Sequence, residues 1–321
     1  MAKAKVRDRP SGAVQRPGMA WIPGGVFRMG SDVHYPEEGP SHRAKVDGFW
    51  MDRHTVTNAQ FARFVAETGY VTVAERPLNP ELYPDADPDL LAPGALVFHM
   101  TSGPVNKSDV SNWWRYTLGA KWDRPLGPES DLAGLENHPV VHVSFEDAQA
   151  YAAWAGKALP TEAEWEFAAR GGLDAAPYVW GAELTPGGRH MANTWQGEFP
   201  WQNLEADGFA GAAPVGSYPA NGYGLHDMAG NVWEWTTDWY FTRHEGDAAK
   251  PCCIPENPHG APMETSFDPD QPRVPIPRKV VKGGSFLCAP SYCRRYRPAA
   301  RQPQMIDTAM SHVGFRCIIR A

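Results

Sequence analysis

Two cysteines five positions apart, Cys288 and Cys293, stand in the stretch Lys282–Arg301, KGGSFLCAPSYCRRYRPAAR. Pro290 lies between them, lacks an amide donor and disfavours a helix, so a tight loop or bent strand is expected. Two thiols on such a loop can converge on one point. Thiolate is the soft donor that selects Cu(I), zinc or iron–sulfur clusters. Spacing alone leaves a blander reading open: a disulfide, or two small buried hydrophobes. Cysteine is among the residues most often buried, and C-x4-C is looser than the usual zinc spacing.

Oxygen donors gather in Asn221–Tyr240, NGYGLHDMAGNVWEWTTDWY, where Asp227, Asn231 and Glu234 surround Gly230. Calcium takes six to eight hard oxygen ligands, and side-chain oxygens with exposed carbonyls around a glycine can supply them. The EF-hand pattern is absent. The alternative is a set of Asx-turns and a strand with hydrogen-bonded carboxylates. His138 and His142 fall in HPVVHVS, which reads as a short strand. At that separation they stand roughly 13 Å apart and cannot share a metal. Glu162, Glu164 and Glu166 open a helix and read as dipole partners rather than acid/base catalysts. Gly222-x-Gly224 lacks a third glycine, and neither G-x-S-x-G nor H-E-x-x-H occurs.

These groups need a scaffold. The 321 residues suffice for two average domains or one large one, and 42% are hydrophobic. The chain holds 31 Gly, 31 Pro and 13 Trp, which predicts few long helices, many turns and aromatic filling between irregular segments. A net charge of −7 argues against nucleic acid. No apolar run is long enough to span a bilayer, and MAKAKVRDRPSG lacks the apolar core of a secretory signal. Five cysteines do not make a disulfide scaffold, so a reducing cytoplasm is the expectation.

Residues 1–18 read as a disordered tail. Strands are expected within Met19–Gly30, turning at Pro23-Gly24-Gly25, at Val46–Asp52, and at Val313–Arg320, where Cys317 should be buried. Thr57 with Gln60, Ser144 with Asp147 and Thr161 with Glu164 are spaced as capping boxes. They predict a helix ending at Gly69, one over 145–155 and one over 162–170. Residues 76–137 read as a long surface excursion pinned by Trp113, Trp114 and Trp122. The proline-rich 244–279 must be loop. It flanks the cysteine stretch and holds Cys252 and Cys253, read as incidental thiols.

The chain resembles the formylglycine-generating enzymes, the sulfatase-modifying factor family. The resemblance rests on WIPGGVFRMG, HPVVHVSFEDAQAYAAWAGKALPTEAEWEFAARGG, ANTWQGEF, NGYGLHDMAGNVWEW, KGGSFLC with SYCRRYRPAAR, and GFRC, from about residue 19 to 317. Most of these motifs mark a wider superfamily; the Cys288–Cys293 pair in its G-G-S-x-x-C-x4-C-x-R-Y-R setting is the specific part. The resemblance implies one domain over 19–321, with an α+β, C-type-lectin-like fold of low regular secondary structure. It implies oxidation of the cysteine in a Cys-x-Pro-x-Arg motif of an unfolded or nascent sulfatase to Cα-formylglycine. O2 would be the oxidant, and Cu(I) would be held by Cys288 and Cys293. Ser285 and Trp233 would act at the oxygen and substrate site, and Arg301 is a weaker substrate-binding candidate. Structural calcium would take Asn193, Thr194, Asp207 and Phe209 in one site. A second site would take Asp227, Gly230, Val232 and Glu234.

Departures from the animal secretory members are informative. Ala289 replaces their His after the first cysteine, and Ala152, Ala169 and Pro298 replace disulfide cysteines. A His that assists catalysis in those members could not do so here; the missing disulfide cysteines suit a cytoplasmic protein, and a monomer is expected. The resemblance leaves two rivals, a nonheme-iron sulfoxide synthase-like enzyme and a noncatalytic lectin-like binding module. It does not say which acidic residue would read the substrate arginine; the carboxylates of 75–137 are the candidates.

Overall fold

Local hydrogen bonding fixes the three helices before any packing is considered. Ahead of α1 (Asn58–Thr68), Thr57 Oγ1 accepts from the Gln60 amide and Gln60 Oε1 accepts from the Thr57 amide, at 3.3 and 2.9 Å. The same reciprocal box opens α2 (Phe145–Trp154) through Ser144 and Asp147, and α3 (Glu162–Arg170) through Thr161 and Glu164. Such boxes satisfy two of the orphan amides at a helix start. Gly69 and Gly171 stop α1 and α3 in the left-handed conformation. The computed structural model describes residues 15–244 and 253–321. Most of the expected tail, and Cys252, lie outside the described residues. No described helix is long and apolar enough to cross a membrane.

The strands are short: β1 (Met19–Ile22), β2 (Gly25–Met29), β3 (His42–Val46), β4 (Phe49–Asp52), β5 (Gly94–Phe98), β6 (Trp114–Leu118), β7 (Trp233–Trp239), β8 (Arg278–Lys282), β9 (Arg301–Met305), β10 (Val313–Gly314) and β11 (Ile318–Arg320). They form a four-stranded sheet in the order β10-β7-β8-β9, a three-stranded sheet β1-β4-β11, and the pairs β2-β3 and β5-β6. The main core joins both larger sheets to all three helices, through Phe61, Tyr151, Trp165, Trp235 and Phe315.

Several sequence expectations are corrected. β1 and β2 flank the expected turn but pair with β4 and β3, not with each other. His138–Ser144 is not a strand. Its amides bond to loops, Val140 to the Val56 carbonyl and His142 to that of Met310, each at 2.9 Å. Residues 76–137 are not merely an excursion, because β5 and β6 pair antiparallel within them and Trp113 is buried. The closing strand is broken into β10 and β11, since Arg316 between them turns inward to Glu234.

β8 and β9 carry the stretch that holds the cysteines. Lys282 pairs in register with Arg301, and both side chains reach the same carboxylate, Glu162 of α3, at 3.3 and 2.8 Å. Beyond Lys282 the chain turns at Gly284, with φ at +75°. A Cβ there would lie 2.9 Å from the Arg295 carbonyl, so only glycine lets the two limbs of the loop approach.

Candidate active site

The loop between these stems folds back on itself. The Cys288 amide donates to the Ser285 carbonyl at 2.9 Å, and the amides of Tyr292 and Cys293 both donate to the Ala289 carbonyl, at 3.0 and 2.8 Å. The second turn brings Cys293 Sγ to 2.9 Å from Cys288 Sγ. Both cysteines are buried in the protein yet form part of the wall of a cavity of about 740 Å³. Ser285 and Trp233 line the same cavity, together with Trp113, Trp114, Tyr292, Arg295 and His312. Trp233 begins β7 and is held by its amide, which donates to the His312 carbonyl at 2.9 Å. Ser285 Oγ accepts from the Leu287 amide at 3.3 Å.

The two thiols are electrostatically unequal. Burial, then the neighbouring Cys293, pushes the Cys288 thiol well up. The hydrogen bond from Cys288 draws Cys293 down to about 7 against its own burial, and Arg295 helps, with Nη1 4.0 Å from the sulfur. Two polarisable sulfurs this close, with one already inclined to ionise, suit a soft ion of low coordination number.

Arg301 does not line this cavity. Its guanidinium binds Glu162 at 2.9 and 2.8 Å and the Phe241 carbonyl at 2.7 Å, and it lines a separate cavity of about 420 Å³. Segment 75–137 contributes Leu96, Val110, Ser111, Trp113 and Trp114 to the cleft but no carboxylate. Asp268, from the proline-rich flank, is the carboxylate on the wall among the described residues, and it pairs with Arg278 at 3.1 Å. Tyr292, Arg295, His312 and Asp268 were not singled out from the sequence. For Tyr292 and Arg295 the signal was their place beside Cys293; for the other two no local signal exists.

The oxygen donors assemble close to one another. Asn193 is buried, and its Oδ1 has no partner, while its Nδ2 donates to the Gly211 carbonyl at 2.8 Å. Asp207 accepts from the Thr194 and Phe209 amides at 2.9 and 3.2 Å. The Asn231 amide donates to the Asn193 carbonyl at 2.9 Å, so the two sets adjoin. Asp227 accepts from the Gly216 amide at 2.7 Å, and burial raises its pKa. Glu234 is largely committed: Oε2 accepts from Trp165 and from Arg316, both at 2.7 Å, and Oε1 from Arg316 at 2.8 Å. The orphaned oxygen of Asn193 makes the first set the better fit to a hard cation. The Arg316 guanidinium weakens the second. No three His, Cys, Asp or Glu side chains converge on a metal position among the described residues, so either set leans on amide and carbonyl oxygens.

The chain matches the sulfatase-modifying factor enzyme 1-like domain over residues 4–321. A formylglycine-generating enzyme of Mycobacterium tuberculosis is 55% identical over 298 residues, which cover 92% of this chain and 96% of the relative. One of Thermomonospora curvata is 48% identical over 309 residues, covering 94% and 92%. Among solved structures, PvdO from Pseudomonas aeruginosa aligns with a TM-score of 0.61 at 21% identity, over 96% of this chain and 100% of that one. That likeness concerns the fold, which is α+β and C-type-lectin-like with little regular secondary structure, as the sequence led one to expect.

Proposed function

Because the chain belongs to the sulfatase-modifying factor enzyme 1-like family, we propose that it converts the cysteine of a Cys-x-Pro-x-Arg segment in a sulfatase to Cα-formylglycine. In this reading O2 is the oxidant and Cu(I) the cofactor. The observation that carries it is the sulfur pair, 2.9 Å apart in the wall of a cleft large enough for a peptide.

Cys288 and Cys293 would hold the copper, their soft sulfurs leaving room for the substrate thiolate as a third donor. Bound there, the ion would supply the one-electron chemistry that lets O2 react at a thiol-bearing carbon. The remaining tasks fall to the chain. Trp113, Trp114, Trp233 and Tyr292 give flat apolar walls that grip an extended peptide and exclude water. Ser285 Oγ accepts from the Leu287 amide, which leaves its own hydrogen to donate to a group bound in the cleft that Ser285 lines. Converting the thiol-bearing methylene to an aldehyde with release of hydrogen sulfide yields two electrons. Reducing O2 to water takes four, so an external thiol or other reductant must supply two.

Incubating the protein with Cu(I), reductant, O2 and a Cys-x-Pro-x-Arg peptide should give the aldehyde by mass spectrometry. A Cu(I)-selective chelator should stop turnover, and added copper should restore it. A peptide thiol left unchanged under all conditions would favour the lectin-like binding module instead.

We also propose structural calcium, foremost at Asn193, Thr194, Asp207 and Phe209. The partnerless, buried Asn193 oxygen supports it, since such an atom is costly unless a donor or cation meets it. A calcium chelator should lower the melting temperature by several degrees, and Ca2+ but not Mg2+ should restore it. A melting temperature indifferent to both would count against the site.

A further inference from the structure

We propose that Arg295 is the counter-ion of the two-sulfur site, and that Glu37 tempers the charge it offers; this rests on the copper reading above. Cu(I) on two thiolates carries a net charge of −1, and a substrate thiolate makes it −2. Such charge in a buried wall needs a fixed partner. Among the described residues the cations lining the cleft are Arg278 and Arg295. Arg278 is committed to Asp268 at 3.1 Å and to the Ser266 and Phe267 carbonyls at 2.9 and 3.0 Å. Arg295 is the one beside a sulfur, with Nη1 4.0 Å from Cys293 Sγ.

A short segment far away in sequence fixes its position. The guanidinium lies 4.0 Å over the Tyr35 ring, and Nη2 pairs with Glu37 Oε1 at 2.6 Å. The Arg294 amide donates to the Tyr35 hydroxyl at 3.0 Å. Glu38 is buried against Arg297, at 2.7 Å, which anchors the segment and takes Arg297 out of contention. Arg295 thus stands between two anions, the Glu37 carboxylate and the sulfur pair. What one takes of its charge the other loses. Glu37 is in this view a positioning residue, and also a brake on how much negative charge the site accepts.

The test is Cu(I) affinity, measured without O2 by competition with a chromogenic Cu(I) chelator. Arg295→Gln should weaken binding about tenfold or more, as loss of an outer-shell partner does. Glu37→Gln keeps an oxygen to accept the guanidinium hydrogen bond but removes the competing charge, so it should tighten binding about threefold. Should Arg295→Gln fail to fold, the sign for Glu37→Gln still decides. Weaker or unchanged binding in Glu37→Gln is what a merely structural contact gives, and it would overturn the proposal. Wild-type protein that takes up no Cu(I) would overturn the copper reading itself, a result distinct from wild-type uptake that neither variant alters.

Discussion

Replacing either Cys288 or Cys293 by serine is expected to cut formylglycine formation at least about a thousandfold, and replacing both should cost little more. The reason is that the pair acts as one unit, and a single remaining sulfur cannot bracket a soft ion. Serine is a near-isostere of cysteine. Burying its hydroxyl beside the other thiol costs on the order of 1–3 kcal/mol, so the fold should persist. Peptide mass spectrometry reads the first effect; circular dichroism and a melting curve read the second. Turnover near wild type in either variant would remove the sulfur pair from the mechanism.

Glu166→Ala should be the most destabilising of the single changes considered, by about 3–5 kcal/mol. Glu166 accepts from Lys282 at 3.1 Å, from Arg170 at 2.7 Å and from the Gly30 amide at 2.9 Å. Lys282 and Glu166 have no exposed side-chain surface, so truncation would leave the buried Arg170 without its carboxylate and Lys282 with Glu162 alone, at 3.3 Å. Urea unfolding measures the loss, and a cost below about 1 kcal/mol would mean the network had rearranged. Burial by itself would raise the Glu166 pKa, but Lys282 and Arg170 outweigh it and hold the carboxyl below its ordinary value. The unfolded chain therefore binds the proton more readily. The stabilisation is complete above the ordinary carboxylate range and is lost as pH falls through the lowered, folded value. The alanine variant should accordingly lose less further stability on acidification than the parent.

What the sequence told in advance follows from how far each cause reaches along it. The helices were legible because Thr57, Ser144 and Thr161 each act on an amide three residues away. The cysteine loop was legible for the same reason, since Cys293 closes onto Ala289 within one turn. The β5–β6 pair was missed because its polar, glycine- and proline-rich surroundings resemble surface loop, whereas its hydrophobic residues face partners as distant as Ala309. The orientation of Arg301 was not legible because a motif match says nothing about direction; its guanidinium pairs with Glu162. Asp268 and His312 reach the cleft wall only through the packing of separate segments.

The neck of the cysteine loop has a consequence of its own. Lys282 and Arg301 leave adjacent strands side by side and are tied to one carboxylate, so the excursion between them begins and ends at a single clasp. A cassette closed in this way can exchange its contents without disturbing its frame. Exposed loop residues such as Ser291 and Arg294 can vary while α3 keeps the two ends together. The chemistry and the architecture are thereby free to evolve at different speeds.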